Sequence, residues 1–318
     1  MMICTIKILI NPEEAGLQWN IKKMISKFGA PTKWKKGKKP LFMVDNFLVF
    51  GWEDELKIVG SLTKYYNGNN IENLDWRNVP NALKRLSNQL GIPLDNGRIS
   101  RIDIAVNFEV DQEVTDYFPE LFHLDYYDRS HKKATTLKFE NNSHLFNYCF
   151  YDKKKEVSKK LIADIDYNLL VNVENLMRVE LQIQDKITLF LKQKDIRVSD
   201  LFLADFCKKL IMKWLKLYLS IQKKAIMTFP VTMKGSRDFD VYRRKCDIIS
   251  TGWETFDYIL DKFFDGERLR SAKSKKRKQY KDAMFDNRNF PLQEHTIELN
   301  HKIKLMCCEA LKQIYWMN

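Results

Sequence analysis

The stretch "RISRIDIAVNFEV", residues 98–110, alternates apolar and polar side chains. Ile102, Ile104, Val106 and Phe108 fall on one face of an extended chain, and Arg101, Asp103, Ala105 and Asn107 on the other. A period of two marks a strand with one side in a core. Two later stretches repeat the pattern. "NLMRVELQIQ" (175–184) sets Val179, Leu181 and Ile183 against Arg178, Glu180, Gln182 and Gln184. "HLFNYCFYD" (144–152) sets Phe146, Tyr148 and Phe150 against Asn147, Cys149 and Tyr151. If these three strands neighbour one another, Asp103, Glu180 and Tyr151 converge on one polar surface.

Further strands are expected at "CTIKILI" (4–10), "FMVDNFLVF" (42–50), "DELKIVGSL" (54–62) and "TTLKFEN" (135–141). "VPNALKRLSNQLG" (79–91) reads as a helix, with Asn78 as N-cap, Pro80 in the first turn and Gly91 closing it. From about residue 198 the period changes to that of helices, over 198–225, 236–264 and 293–316. The order implies an α+β fold, an antiparallel sheet carrying helices on one face, followed by a C-terminal helical region. The expected division is an α+β domain over 1–200 and a helical, basic region over 201–318.

The chain of 318 residues carries a net charge of +13, with 45 % hydrophobic residues, so it can build a core and favours anionic partners. Nucleic acid is the favoured one. The most apolar helix candidate, 201–221, is interrupted by Lys208, Lys209, Lys213 and Lys216, which argues against a membrane partner. "MMICTIKILINPEE" lacks the long apolar run and cleavage site of a signal peptide. Cys4, Cys149, Cys207, Cys246, Cys307 and Cys308 show no CxxC spacing, and His123, His131, His144, His295 and His301 form no HxH or HExxH. Reduced thiols, no structural zinc and a place in the cytoplasm of a bacterial host are the expectations.

Half-exposed strands alternate routinely, so each polar face alone reads first as a solvated one. Acids are nevertheless poor strand formers. Two explanations stay open for Arg-x-Asp and Arg-x-Glu inside apolar strands. One is a ladder of cross-strand ion pairs, worth about 0.2–1 kcal/mol each. The other is a divalent-ion site, in which Asp103, Glu180 and the amide of Asn107 would suit Mg²⁺ or Mn²⁺.

"SRIDIAVNFEVD", "FYDKKKE" and "MRVELQIQD", in that order, resemble rolling-circle replication initiators of the Rep_trans type, found in plasmids and phages. "LKIVGSLTKYYNGNN" (56–70) is similar to a segment of the phage-type members, and the likeness runs from about residue 55 to 200. The resemblance implies an HUH-endonuclease-like, ferredoxin-like core and an enzyme that nicks and rejoins one DNA strand. It implies Tyr151 as nucleophile, and Asp103 and Glu180 as the acids of a metal site. Asn107 departs from the pattern, standing where such proteins often carry a second Asp; Glu109 and Asp111 lie nearby.

On that reading Tyr151 attacks a phosphodiester, leaving a 5′-phosphotyrosine and a 3′-OH that primes synthesis. Lys153, on the face of Tyr151 if the strand continues, would lower the phenol's pKa. Arg101, Arg178, Lys154 and the basic run Lys275, Lys276, Arg277 and Lys278 would contact phosphates, with "KWKKGKK" (33–39) as a second basic loop. Tyr126, Tyr127 and Tyr280 compete as nucleophiles. Tyr65, Tyr66 and Trp76 would stack on unpaired bases or pack as lids. The implied partners are single-stranded or hairpin origin DNA and, for want of a Walker A motif, a host helicase and polymerase. The helix at 198–225 is core or the contact of a homodimer. Three alternatives stand beside the nickase: a non-enzymatic origin-binding protein recruiting host factors, a conjugative relaxase, and an RNA-binding structural protein.

Overall fold

The structure is a computed structural model that describes residues 1–31, 39–51, 54–141, 143, 145–158, 169–223, 235–251, 253–264, 266, 269–285 and 294–315. The basic loop at 33–39 lies outside them except for Lys39, as does His144. The strands are β1 (Met2–Ile10), β2 (Phe42–Val44), β3 (Phe47–Gly51), β4 (Leu56–Ser61), β5 (Arg98–Glu109) and β6 (Leu121–His123). Then come β7 (Tyr127–Lys133), β8 (Thr136–Asn141), β9 (Phe146–Asp152), β10 (Leu176–Ile183) and β11 (Gln222–Lys223). The helices begin with α1 (Pro12–Ala15), α2 (Ile21–Phe28), α3 (Leu62–Asn67), α4 (Val79–Leu90), α5 (Lys153–Ser158) and α6 (Ile187–Leu191). The later ones are α7 (Ala204–Ser220), α8 (Ser236–Thr251), α9 (Trp253–Phe263), α10 (Arg270–Phe285) and α11 (Glu294–Tyr315).

Nine strands form one sheet in the order β2-β3-β4-β1-β5-β10-β9-β8-β7, and every neighbouring pair is antiparallel. The fold is therefore α+β with a large antiparallel sheet and a C-terminal helical region. The three alternating strands lie side by side at its centre. Their apolar faces meet α7, where Trp214 packs on Tyr148 with ring centroids 5.4 Å apart and Tyr218 on Phe150 at 6.4 Å. Trp214 also donates its indole N–H to the Ile104 carbonyl at 3.2 Å, so its one polar atom is satisfied in the core. Truncating so large a buried side chain costs roughly 3–5 kcal/mol.

Compactness divides the chain elsewhere than at residue 200. One unit comprises residues 1–115, 126–218 and 301–318, and holds the nine-stranded sheet with α7. The other comprises 116–125 and 219–300, and holds the β6–β11 pair and α8 to α10 around Ile248, Trp253, Phe256 and Leu260.

Several elements differ from the sequence pattern, each for a local reason. The single strand expected over 42–50 is a hairpin, β2–β3, because Asp45 takes φ +50° and, with Asn46, makes a two-residue turn. The strand expected to reach Leu62 stops at Ser61, whose hydroxyl accepts from the Lys64 N–H at 3.2 Å and starts α3. Asn78 makes no side-chain cap; Asp75 instead accepts from the Arg77 N–H at 2.8 Å and starts a short 3₁₀ turn, Trp76–Asn78, ahead of α4. Pro80 and the left-handed Gly91 do bound α4. Strand β7 has no counterpart in the sequence pattern: it is an edge strand rich in charge, as edges commonly are. The helix expected over 198–225 is a 3₁₀ turn, Val198–Phe202, followed by α7 and β11. Among the described residues no helix is long and apolar enough to cross a membrane.

Candidate active site

The register of β5, β10 and β9 fixes which polar side chains meet. Gln182, Glu180 and Arg178 of β10 stand opposite Asp103, Ala105 and Asn107 of β5. On the other side the same three stand opposite Asn147, Cys149 and Tyr151 of β9. Because side chains directly opposite share a face, all nine lie on one side of the sheet. The convergence expected for Asp103, Glu180 and Tyr151 is present, with Cys149 buried between the strands.

Glu180 is the hub. Its Oε2 accepts from the Tyr151 hydroxyl at 3.0 Å and from Arg178 Nε at 2.9 Å, and its Oε1 accepts from Gln182 Nε2 at 3.0 Å. Asp103 is held separately by Arg101, whose guanidinium grips both carboxylate oxygens at 2.6 to 3.2 Å. Arg178, Asp103, Glu180 and Asn107 are buried, whereas Tyr151 is half-buried.

A loop from α3 towards α4 covers one end of this face, and asparagines build it. The Asn69 carboxamide oxygen accepts from the N–H groups of Ile71 and Glu72, both at 3.0 Å, folding the chain back. That turn aims the carbonyls of Asn70 and Ile71 at the Asn107 amide, which donates to them at 3.0 and 2.6 Å. Arg178 also donates to the Asn70 carbonyl, at 3.2 Å. Asn73 completes the fit: it donates to the Asn107 carbonyl at 2.8 Å and accepts from the Asn107 N–H at 3.0 Å. Strand β1 pairs with β5 only as far as Met2 opposite Ala105, so one side-chain amide continues the ladder where β1 runs out.

The surroundings push the two acids apart. Burial lifts the Asp103 carboxyl to about 6, and the charge on Glu180 adds to the lift against the pull of Arg101. Burial acts on Glu180 as well, but Arg178 and the hydrogen bonds from Gln182, Tyr151 and Arg178 outweigh it and hold that carboxyl below its ordinary value. Burial also raises the Tyr151 phenol well above its ordinary range, and the charge on Glu180 adds to the effect. At neutral pH the site thus holds a protonated phenol hydrogen-bonded to an ionised carboxylate, which is itself oriented by an arginine and an amide. A hydroxyl, the carboxylate that accepts its hydrogen bond and the arginine that orients that carboxylate stand in sequence.

The other expected residues fare differently. Strand β9 ends at Asp152 and α5 begins at Lys153, so Lys153 does not continue the strand face of Tyr151. Its ammonium is buried and donates to Glu156 at 2.6 Å, and burial lowers its pKa with help from Arg178. Lys154 donates to the Val173 carbonyl at 2.7 Å. Arg178 is fully buried on Glu180, while Arg101 keeps 29 % of its side chain exposed. Arg277 is held by Asp257 and Asp261, but Lys275, Lys276 and Lys278 are exposed. Tyr65 and Trp76 are buried, and Tyr65 bonds to Gln89 and packs edge-on against Phe47, so both are packing residues. Of the competing tyrosines, Tyr126 is 86 % exposed, burial pushes Tyr127 up to about 12, and Tyr280 donates to Asp247 at 3.0 Å. Gln182, Asn69, Asn70 and Asn73 carry no role in the sequence pattern, although the run "NGNNIEN" (67–73) marks a turn.

The donor set fits a divalent cation poorly. Asp103 and Asn107 are four residues apart on one strand, about 13 Å, too far for two short side chains to share an ion that binds oxygen at about 2 Å. Both carboxylates already carry a guanidinium, and the remaining bonds to Glu180 come from Tyr151 and Gln182. Among the described residues no group of three or more His, Cys, Asp or Glu side chains is placed to hold a metal.

Compared with known proteins, the chain has no match among curated ones. The model of the Phage_CRI family, described as the N-terminal part of a replication-associated protein, matches residues 42–204, just over half of the chain. The matched segment contains β5, β9, β10 and the asparagine loop, and so Tyr151, Arg178 and Gln182, the side chains that hydrogen-bond to Glu180 among the described residues. The chain therefore belongs to the Phage_CRI family of phage replication-associated proteins, which it matches over that family's N-terminal part.

Proposed function

We propose that the chain initiates rolling-circle DNA replication by nicking one strand at an origin through Tyr151, with chemistry of the Rep_trans kind. The observation that carries this reading is the 3.0 Å hydrogen bond from the Tyr151 hydroxyl to Glu180, inside a family of replication-associated proteins. Tyr151 Oη attacks the phosphorus, Glu180 takes the phenol proton, and the bond from phosphorus to the 3′ oxygen breaks. The 3′ oxygen collects a proton from solvent. The products are a 5′-phosphotyrosine and a free 3′-OH, and the reverse reaction rejoins the strand without ATP. Binding a phosphate beside Arg101 would place positive charge where the transition state gathers negative charge. Arg178 orients Glu180 and offsets its buried charge. Proton acceptance by a positioned carboxylate contributes typically 10²–10⁴-fold.

No step is routed through Mg²⁺ or Mn²⁺, because the carboxylates are already engaged by arginines. The DNA would be the single-stranded or hairpin form of the origin, and a host helicase and polymerase would separate and extend the strands. The test is nicking of labelled single-stranded origin fragments by wild type and by Tyr151→Phe. Loss of cleavage with retained binding supports the nickase. Selective binding without cleavage by either protein would favour an origin-binding protein that recruits host factors.

A further inference from the structure

In the second unit, α9 and α10 enclose an open hollow of about 310 Å³. Phe256, Leu260, Phe263, Phe264, Tyr280 and Lys276 line it. The rings of Phe256 and Tyr280 lie against each other with centroids 4.2 Å apart and planes tilted by 34°, and the bond from the Tyr280 hydroxyl to Asp247 fixes the edge of that ring. Phe263 is 79 % exposed and Tyr258, on the same helix, 62 %. Of the two, Phe263 lines the hollow, and an aromatic side chain left in solvent at such a rim marks a contact surface. Lys262 lies over the Tyr258 ring at 5.6 Å.

The cations of α10 divide into two sets. Lys273 pairs with Asp261 at 2.5 Å, Arg277 with Asp257 and Asp261, and Lys281 with Asp125, so these three hold the helix in place. Arg270, Lys275, Lys276 and Lys278 are exposed and have no ion pair among the described residues. Charge beyond what packing uses, beside open aromatic faces, is the combination that holds an unpaired strand: lysines follow the phosphates and rings stack on bases.

We infer that this hollow is a stacking site for unpaired bases of single-stranded DNA, with Phe263 as the open face and Lys276 as a phosphate contact. The inference rests on the DNA-processing reading and adds a binding site outside the segment matched by the family. It is tested on the full chain by fluorescence anisotropy, using a labelled oligothymidylate of about twelve nucleotides and an abasic oligonucleotide with the same number of phosphates. Wild type should bind the oligothymidylate ~10-fold more tightly than the abasic strand. Phe263→Ala, at an exposed position, should remove that difference and leave abasic binding unchanged. Lys276→Gln should weaken both and flatten the salt dependence by about 0.7 in the log–log slope. Equal binding of the two strands by wild type, or no effect of Phe263→Ala, overturns the site but leaves the nickase intact. Binding to neither strand would sink the DNA reading with it. A changed sedimentation coefficient for Phe263→Ala, without a change in affinity, would make the hollow a contact between copies of the chain instead.

Discussion

Arg178→Met tests the hub of the site. Arg178 and Glu180 have side chains only 1 % and 7 % exposed and meet at 2.9 Å. Methionine keeps much of the packing volume but leaves the Glu180 charge, among the described residues, with Tyr151 and Gln182 as its donors, and leaves the Asn70 carbonyl to the Asn107 amide alone. Breaking a buried pair from one side costs about 3–5 kcal/mol, chiefly because the remaining charge is uncompensated. With a urea slope of about 2 kcal/mol per molar, the midpoint should fall by roughly 1.5–2.5 M. Adding Glu180→Leu should recover at least half of that loss, because it removes the stranded charge. The penalty should also depend on pH. The folded pKa of Glu180 is depressed, so the pair's contribution is fully present above the unfolded value of about 4.3 and is lost as pH falls through the folded one. The single variant lacks that contribution, so it and wild type should converge in acid and differ most above about pH 6. A cost below about 0.5 kcal/mol at neutral pH, or a double variant as unstable as the sum of the singles, would refute the reasoning.

Three further outcomes are expected. Glu180→Gln keeps the shape of the acceptor but cannot take the phenol proton, so single-turnover nicking should fall about 10²–10⁴-fold while DNA binding holds; a drop below tenfold removes Glu180 from proton transfer. Asn107→Ala removes the donor to the Ile71 carbonyl, leaves the Asn70 carbonyl to Arg178 alone and should cost about 1–3 kcal/mol, with hydrogen exchange rising first at residues 69–73; unchanged protection there means that other contacts hold the loop. Mg²⁺ or Mn²⁺ at ~5 mM should leave the melting temperature of the DNA-free protein unchanged, whereas a resident site binding at ~50 μM would add about 2.7 kcal/mol.

The central sheet is legible because its information is local. Alternation in 98–110 and 175–184 fixes which side chains of β5 and β10 face the core, and the order of neighbouring strands then puts Asp103, Glu180 and Tyr151 together. Partnership is not legible. Nothing in "MRVELQIQ" says that Arg178 points back to Glu180 two residues on instead of out to a phosphate; that depends on the loop that closes over it. The strand pattern misplaces Lys153 because it runs β9 past its end, and a chain that turns helical at 153 sends the next side chains off the strand face. The hairpin at 45–46 and the asparagine turn at 69–73 rest on positive φ and side-chain-to-backbone bonds, which composition marks as a turn without giving its direction. The basic run at 275–278 is visible as charge, but only the packing of α10 shows that Arg277 is used internally.

The measurement that bears most directly on the account is peptide mass spectrometry of the protein after incubation with single-stranded DNA from the origin of its own genetic element. A nucleotide adduct on Tyr151, absent from Tyr151→Phe and strongly reduced in Glu180→Gln, is the predicted result. An adduct on Tyr126, Tyr127 or Tyr280, with Tyr151 unmodified, would contradict it.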